Sequence, residues 1–170
     1  MAIPIQPSDN LRHYMLPQAP EQAGYYVYGN VGGRPGTGHL AQYAHPSMLS
    51  VIFWVEREWQ AIDDRKFGIG NISLAGGVKY EHATHMKGIE MDMRPLRKDG
   101  MVGQAARCSY KDKTIYDQGA TIKLVYLFLP HPLFKLIYFN DDELRAICGS
   151  SVKRWPKHDD HLHVGLWEGR

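Results

Sequence analysis

Cysteine is scarce: the 170 residues contain only Cys108 and Cys148. No Cys-x-x-Cys pair occurs, which excludes a zinc ribbon and a thioredoxin-like redox motif. A chain of this length buries a core without staples, so both thiols are expected to be free. Long apolar runs are missing too. Nothing approaches the roughly 20 residues of a membrane span, and none is expected. Charge of either sign is not in excess: the formal net charge is +2, and no basic stripe is interleaved with aromatics. A nucleic-acid partner is therefore not expected. The first residues, Met1 to Pro7, lack the basic start and apolar run of a signal peptide. Internal repeats, linkers and low-complexity tracts are absent, so residues 1–170 read as a single domain, with 1–24 as an irregular N-terminal arm.

What is present is ordinary in bulk: 44% apolar and 22% charged residues, as in a globular domain. Met48, Val51, Ile52, Val55, Trp59 and Ile62 recur at helical spacing and predict a helix over 46–63, with Pro46 in its first turn and Ser47 as a possible cap. The glycine-rich run from Gly32 to Gly38 lacks the Gly-Lys-Ser/Thr ending of a phosphate loop and reads as a plain loop. Phe67 to Ser73 alternates like a strand, and Gly76-Gly77 marks a turn. Residues 118–129 are rich in β-branched and aromatic residues but long for a strand. With Asp117 as a cap and Ile122, Val125 and Leu129 on one face, they predict a buried helix. Phe134 to Phe139 predicts a strand, and Asp141 to Arg145 a short helix with acids at its start.

The chemistry concentrates in two histidine clusters. In the first, His158-Asp159-Asp160-His161-Leu162-His163-Val164, strand alternation puts Leu162, Val164 and Leu166 on an apolar face and His161 and His163 on the other. In the second, His82 to Met93, Gly88 turns the chain after His85. Ile89, Met91 and Met93 then face the core while Glu90 and Asp92 face outward. His85, Asp92 and His163 can meet. Two neutral imidazoles and a carboxylate with an open position make a hydrolytic metal site, and by ligand chemistry alone the ion is zinc or iron. The bland alternative is surface and core histidines that merely cluster. His13, His39 and His131 read as surface residues, and His45 as a helix cap or a cleft residue.

His82-x-x-His85-x-x-Gly88-x-x-x-Asp92 followed by His158-x-x-His161-x-His163 resembles the penicillin-insensitive murein endopeptidases, within the zinc-peptidase group that includes lysostaphin-type and D-alanyl-D-alanine peptidases. The resemblance runs from about residue 25 to 166 and takes in His45-Pro46, the Gly68 to Ser73 stretch and Gly76-Gly77. It implies one Zn2+ per chain on His85, Asp92 and His163, with His161 as base or transition-state donor and His158 and His82 as supporting residues.

The resulting expectation is an α+β fold: a small antiparallel sheet carrying the zinc site, flanked by helices and a long irregular N-terminal segment. The expected activity is hydrolysis of D-alanyl-diaminopimelate cross-links in peptidoglycan, whose stem peptides are the partner. Cleft walls are expected from 25–45 and 94–118, where Arg34, Arg94, Arg97 and Arg107 would hold stem carboxylates. Family members carry a signal peptide and more cysteines. The lack of that leader here suggests a phage lysis enzyme or an exported antibacterial effector acting in the periplasm, with an immunity protein or secretion apparatus as a possible partner. A D,D-carboxypeptidase and a non-catalytic zinc-containing wall-binding domain are the alternatives.

Overall fold

The computed structural model describes residues 6–18 and 22–168. The parts of the expected N-terminal arm at 1–5 and 19–21 lie outside them. The strands and α-helices run β1 (Tyr14–Met15), β2 (Tyr25–Val27), β3 (Tyr43–Ala44), α1 (Pro46–Gln60), β4 (Phe67–Ile69), β5 (Glu90–Met93), α2 (Gln118–Phe128), β6 (Phe134–Tyr138), α3 (Asp142–Cys148), β7 (Val152–Lys153) and β8 (Leu162–Leu166). The fold is α+β. Six strands form a sheet in the order β2-β4-β5-β8-β6-β7, and β1 pairs with β3 in a second, two-stranded sheet.

The sheet is mixed, not antiparallel as expected. Its four middle strands are antiparallel, but β2 runs parallel to β4 and β7 parallel to β6. A parallel pair needs a crossover connection. α1 lies in the chain between β2 and β4, and α3 between β6 and β7. Alternation along one strand carries no information about the direction of its neighbour.

Helix starts follow local chemistry. Pro46 forces the residue before it into extended backbone, so His45 and not Ser47 becomes the N-cap: its Nδ1 accepts the Ser47 N–H at 3.1 Å. Asp117 caps α2 by accepting from Ala120 N at 2.9 Å, and Asp141 caps α3 through Glu143 N and Leu144 N. The buried face of α2 is Thr121, Leu124, Val125 and Phe128, shifted from the expected Ile122–Leu129 face. Ile62 lies past the end of α1 and is 53% exposed.

α1 buries Met48, Val51, Ile52, Val55 and Trp59 against the apolar face of the sheet, Met91, Met93, Ile137, Leu162, Val164 and Leu166, with α2 completing the core. Each large side chain so buried is worth about 1.5–3 kcal/mol. Cys108 and Cys148 are buried free thiols, and Cys148 belongs to this core. His13 is buried, not a surface residue, with Nδ1 3.3 Å from Asp9 Oδ2. Among the described residues no helix is long and apolar enough to cross a membrane.

Candidate metal centre

Strand register assembles the centre. β5 and β8 pair antiparallel with Asp92 opposite His163, and alternation turns both side chains away from Met91 and Val164, which are in the core. On the far side of β8, Tyr138 pairs with His163. On the far side of β5, Asn71 O accepts the Asp92 N–H at 2.9 Å. Asp92, His163 and Tyr138 thus form a row across neighbouring strands, which Asn71, just past the end of β4, extends. His85 reaches the row because the chain turns at Gly88, with φ of +64°. A Cβ there would lie 2.5 Å from His45 N, so the left-handed turn and its close approach to α1's cap both require glycine.

Three ligand-type atoms meet over this row. His85 Nε2 and His163 Nδ1 are 3.0 Å apart, His85 Nε2 is 3.4 Å from Asp92 Oδ1, and His163 Nδ1 is 3.3 Å from the same oxygen. Ligands about 2.0–2.2 Å from a tetrahedral zinc lie roughly 3.3–3.6 Å from each other, so the triangle has close to the dimensions a metal ion needs. Among the described residues, Asp92 Oδ1 is buried and accepts no hydrogen bond, a costly state for a carboxylate oxygen unless a cation satisfies it. His82 is also near: His82, His85 and Asp92 each bring one ligand atom within 4.8 Å of the others, a group that could hold a metal ion. Its Nδ1 is 3.7 Å from Asp92 Oδ2, while its Nε2 contacts Asn71 Nδ2 at 2.8 Å.

The electrostatics favour a positive charge at this spot. Burial opposes the charged form of His163, but the contacts with Asp92 and Glu90 outweigh it and push its pKa up to about 9. Burial likewise works to raise Asp92, and the contacts with His163 and His85 outweigh it, holding the carboxyl well below the usual range. A metal ion and a proton compete for the same Nδ1 lone pair. Glu90 Oε1 stands 3.9 Å from His163 Nε2, where it can orient the ring from behind.

The remaining histidines are held beside the triangle. His161 donates from Nδ1 to Asp160 Oδ1 at 2.9 Å, and Arg107 Nε grips the other oxygen of Asp160. The His161 hydrogen bond, with Arg107 also contributing against burial, holds the Asp160 carboxyl down at about 2. With Nδ1 hydrogen-bonded to a carboxylate, Nε2 is the ring nitrogen left without a protein partner among the described residues. His158 donates from Nδ1 to Pro156 O at 2.9 Å, and burial lowers its pKa. Burial also lowers that of His82. For both rings burial disfavours the charged form.

All six residues singled out in the sequence, His82, His85, Asp92, His158, His161 and His163, line one cleft of about 590 Å³. Its other walls differ from those expected. They come from Ala83 and Thr84, from Tyr138, and from Trp155 to Lys157, with nothing from 25–45 or 94–118. Arg94 is spent on Gly103 O and Gln104 O and packs 3.9 Å over the Tyr28 ring. Arg97 is spent on Asp99 and Arg107 O. Asn71 and Asp160 fall within the stretches quoted from the sequence and Tyr138 within a predicted strand, but the sequence assigns none of the three a role at the site. Alternation in Phe134 to Tyr138 was a signal for Tyr138; Asn71 needed the register between strands. Comparison of the chain with protein-family models finds no match, and none of the curated proteins matches it.

Proposed function

We propose that the chain is a zinc-dependent peptidoglycan endopeptidase that cuts the amide between D-alanine and the side-chain amine of diaminopimelate, as its resemblance to the penicillin-insensitive murein endopeptidases implies. His85, Asp92 and His163 would hold one zinc per chain. The observation that carries this reading is the triangle of His85 Nε2, Asp92 Oδ1 and His163 Nδ1, with edges of 3.0 to 3.4 Å and, at one corner, a buried carboxylate oxygen that has no donor among the described residues. When bound in such a site, zinc acts as a Lewis acid and brings the pKa of water toward about 7. His161 moves the proton: Nε2, free because Asp160 occupies Nδ1, takes it during attack and returns it to the leaving amine. His158 and His82, both half-buried, shape the polar wall beside it. Glu90 and Asn71 orient His163 and His82.

One observation favours a second reading, a non-catalytic zinc domain. His82 Nδ1, 3.7 Å from Asp92 Oδ2, stands within reach of becoming a fourth ligand, and four protein ligands make a closed structural site. The test is to incubate zinc-loaded protein with purified D-alanyl-diaminopimelate cross-linked dimers and with pentapeptide monomers, and to read the products by mass spectrometry. Conversion of dimers to monomers is expected. Release of terminal D-alanine with intact dimers would make the protein a carboxypeptidase, and no product from either would favour the binding domain.

A further inference from the structure

The turn between β7 and β8 has features that the metal centre does not need. Lys157 sits there with φ of +67°, a left-handed backbone that strains any residue carrying a Cβ. Such a conformation persists only where its surroundings over-determine it. Asn140, 5% exposed, does so. Its N–H donates to His158 O at 3.0 Å, its Oδ1 accepts the Trp155 N–H at 3.0 Å, and its Nδ2 donates to Asp159 Oδ1 at 2.7 Å. The turn is a finger fixed at both ends with a lysine at its tip.

Open space lies on both sides of that tip. Lys157 lines the 590 Å³ metal cleft and also a shallow groove of about 650 Å³ bounded by Arg107, Ser109, Asp112, Asp159 and Asp160. The other charges of the groove are engaged: Arg107 on Asp160, Asp159 with Lys111 and Asn140, Asp112 with Thr114. The Lys157 ammonium has no hydrogen bond or ion pair among the described residues. Next to it Trp155 is 55% exposed, with its ring 5.2 Å from Tyr138, whose ring is in turn 5.8 Å from His163. An unpaired cation beside an aromatic platform matches a carboxylate on an aliphatic peptide chain. A crest with space on either side matches a peptide with two arms.

We propose that Lys157 forms a carboxylate subsite for a branched peptide, one arm lying in the metal cleft and the other in the groove beyond the turn. The proposal rests on the hydrolase reading and deepens it: the free carboxylate beside the cross-linked amine is the group Lys157 takes.

The test pairs two cross-linked dimers, one with that carboxylate free and one with it as the carboxamide. Lys157→Gln removes the charge and keeps a side chain, Lys157→Gly also relieves the left-handed strain, and Lys157→Arg keeps the charge. KM and kcat are measured for each zinc-loaded protein. Dissociation constants are measured by calorimetry for each change placed in His161→Ala, where binding is read without turnover. The Gln and Gly variants are expected to raise KM and Kd for the free acid by about threefold to tenfold, the scale of one partly exposed ion pair, with a much smaller change in kcat, and Arg is expected to restore both. The carboxamide dimer should bind with the same Kd whether or not Lys157→Gln is present. Equal binding of acid and amide by the lysine form, or an unchanged Kd in Lys157→Gln, would overturn the proposal. If neither dimer is cleaved yet Kd still depends on Lys157 and the carboxylate, the hydrolase reading fails and the subsite stands.

Discussion

Asp92 Oδ1 is the atom around which the site is organised. It lies 3.3 and 3.4 Å from two imidazole nitrogens and accepts a hydrogen bond from neither. His163 and His161, two positions apart, differ in what their Nδ1 atoms face, the triangle in one case and Asp160 in the other, and the proposed function gives them different roles. Substitution should separate them. If the proposed ligand set is right, His163→Ala leaves two protein ligands and is expected to lose its zinc on dialysis, read by elemental analysis; full retention would remove His163 from the ligand set. His161→Ala is expected to keep zinc and fold but to lose about 10²–10⁴-fold in kcat, the usual contribution of a positioned acid–base group. Cleavage of dimers at the parent rate by that variant would leave His161 a structural role only.

Pairing of elements supplies what single residues do not. Period-two alternation was enough to see that Asp92 and His163 leave the apolar face of their strands, and the helical spacing of α1 and the cap at Asp117 were equally legible. Register was not. That Asp92 stands opposite His163, and Tyr138 and Asn71 flank them, depends on contacts between segments tens of residues apart. The parallel outer strands were hidden for the same reason. The cleft wall at 155–157 was missed because its shape comes from a turn pinned by Asn140, not from composition. Elsewhere, the end of α1 is tied to the start of α2 by Arg65, which donates to Asp63 and, at 2.8 Å, to Asp117 Oδ2. The Arg65 hydrogen bond depresses Asp63. Asp117 is depressed because the Ala120 N–H and Arg65 outweigh burial. Depressed carboxyls bind protons more weakly folded than unfolded, so their contribution is full above the ordinary 3.8 and is lost as pH falls through the lower folded values. Asp117→Ala should therefore cost about 1 kcal/mol in urea unfolding at pH 7, with the gap from the parent narrowing as the pH drops below the carboxylate range. An equal gap at both pH values would contradict the assignment.

At the scale of the whole molecule, one sheet separates two jobs. Its apolar face carries the core with α1 and α2, and its other face carries the polar row and the histidines. The fold should then survive without metal. Chelation is expected to leave far-UV circular dichroism unchanged. A zinc level 100-fold above Kd adds about 2.7 kcal/mol, and at about 2–4 °C per kcal/mol for a domain of this size its removal should lower Tm by roughly 5–11 °C. Unfolding at room temperature on chelation would mean that the metal is structural.

The most direct measurement of the central claim is zinc-edge X-ray absorption on the parent protein and on His82→Ala. The hydrolase account predicts two imidazoles and oxygen donors around the zinc, unchanged in the variant, because His85, Asp92 and His163 hold the ion and leave a position open. Three imidazoles in the parent, falling to two in His82→Ala, would mean a closed site of four protein ligands and would contradict it.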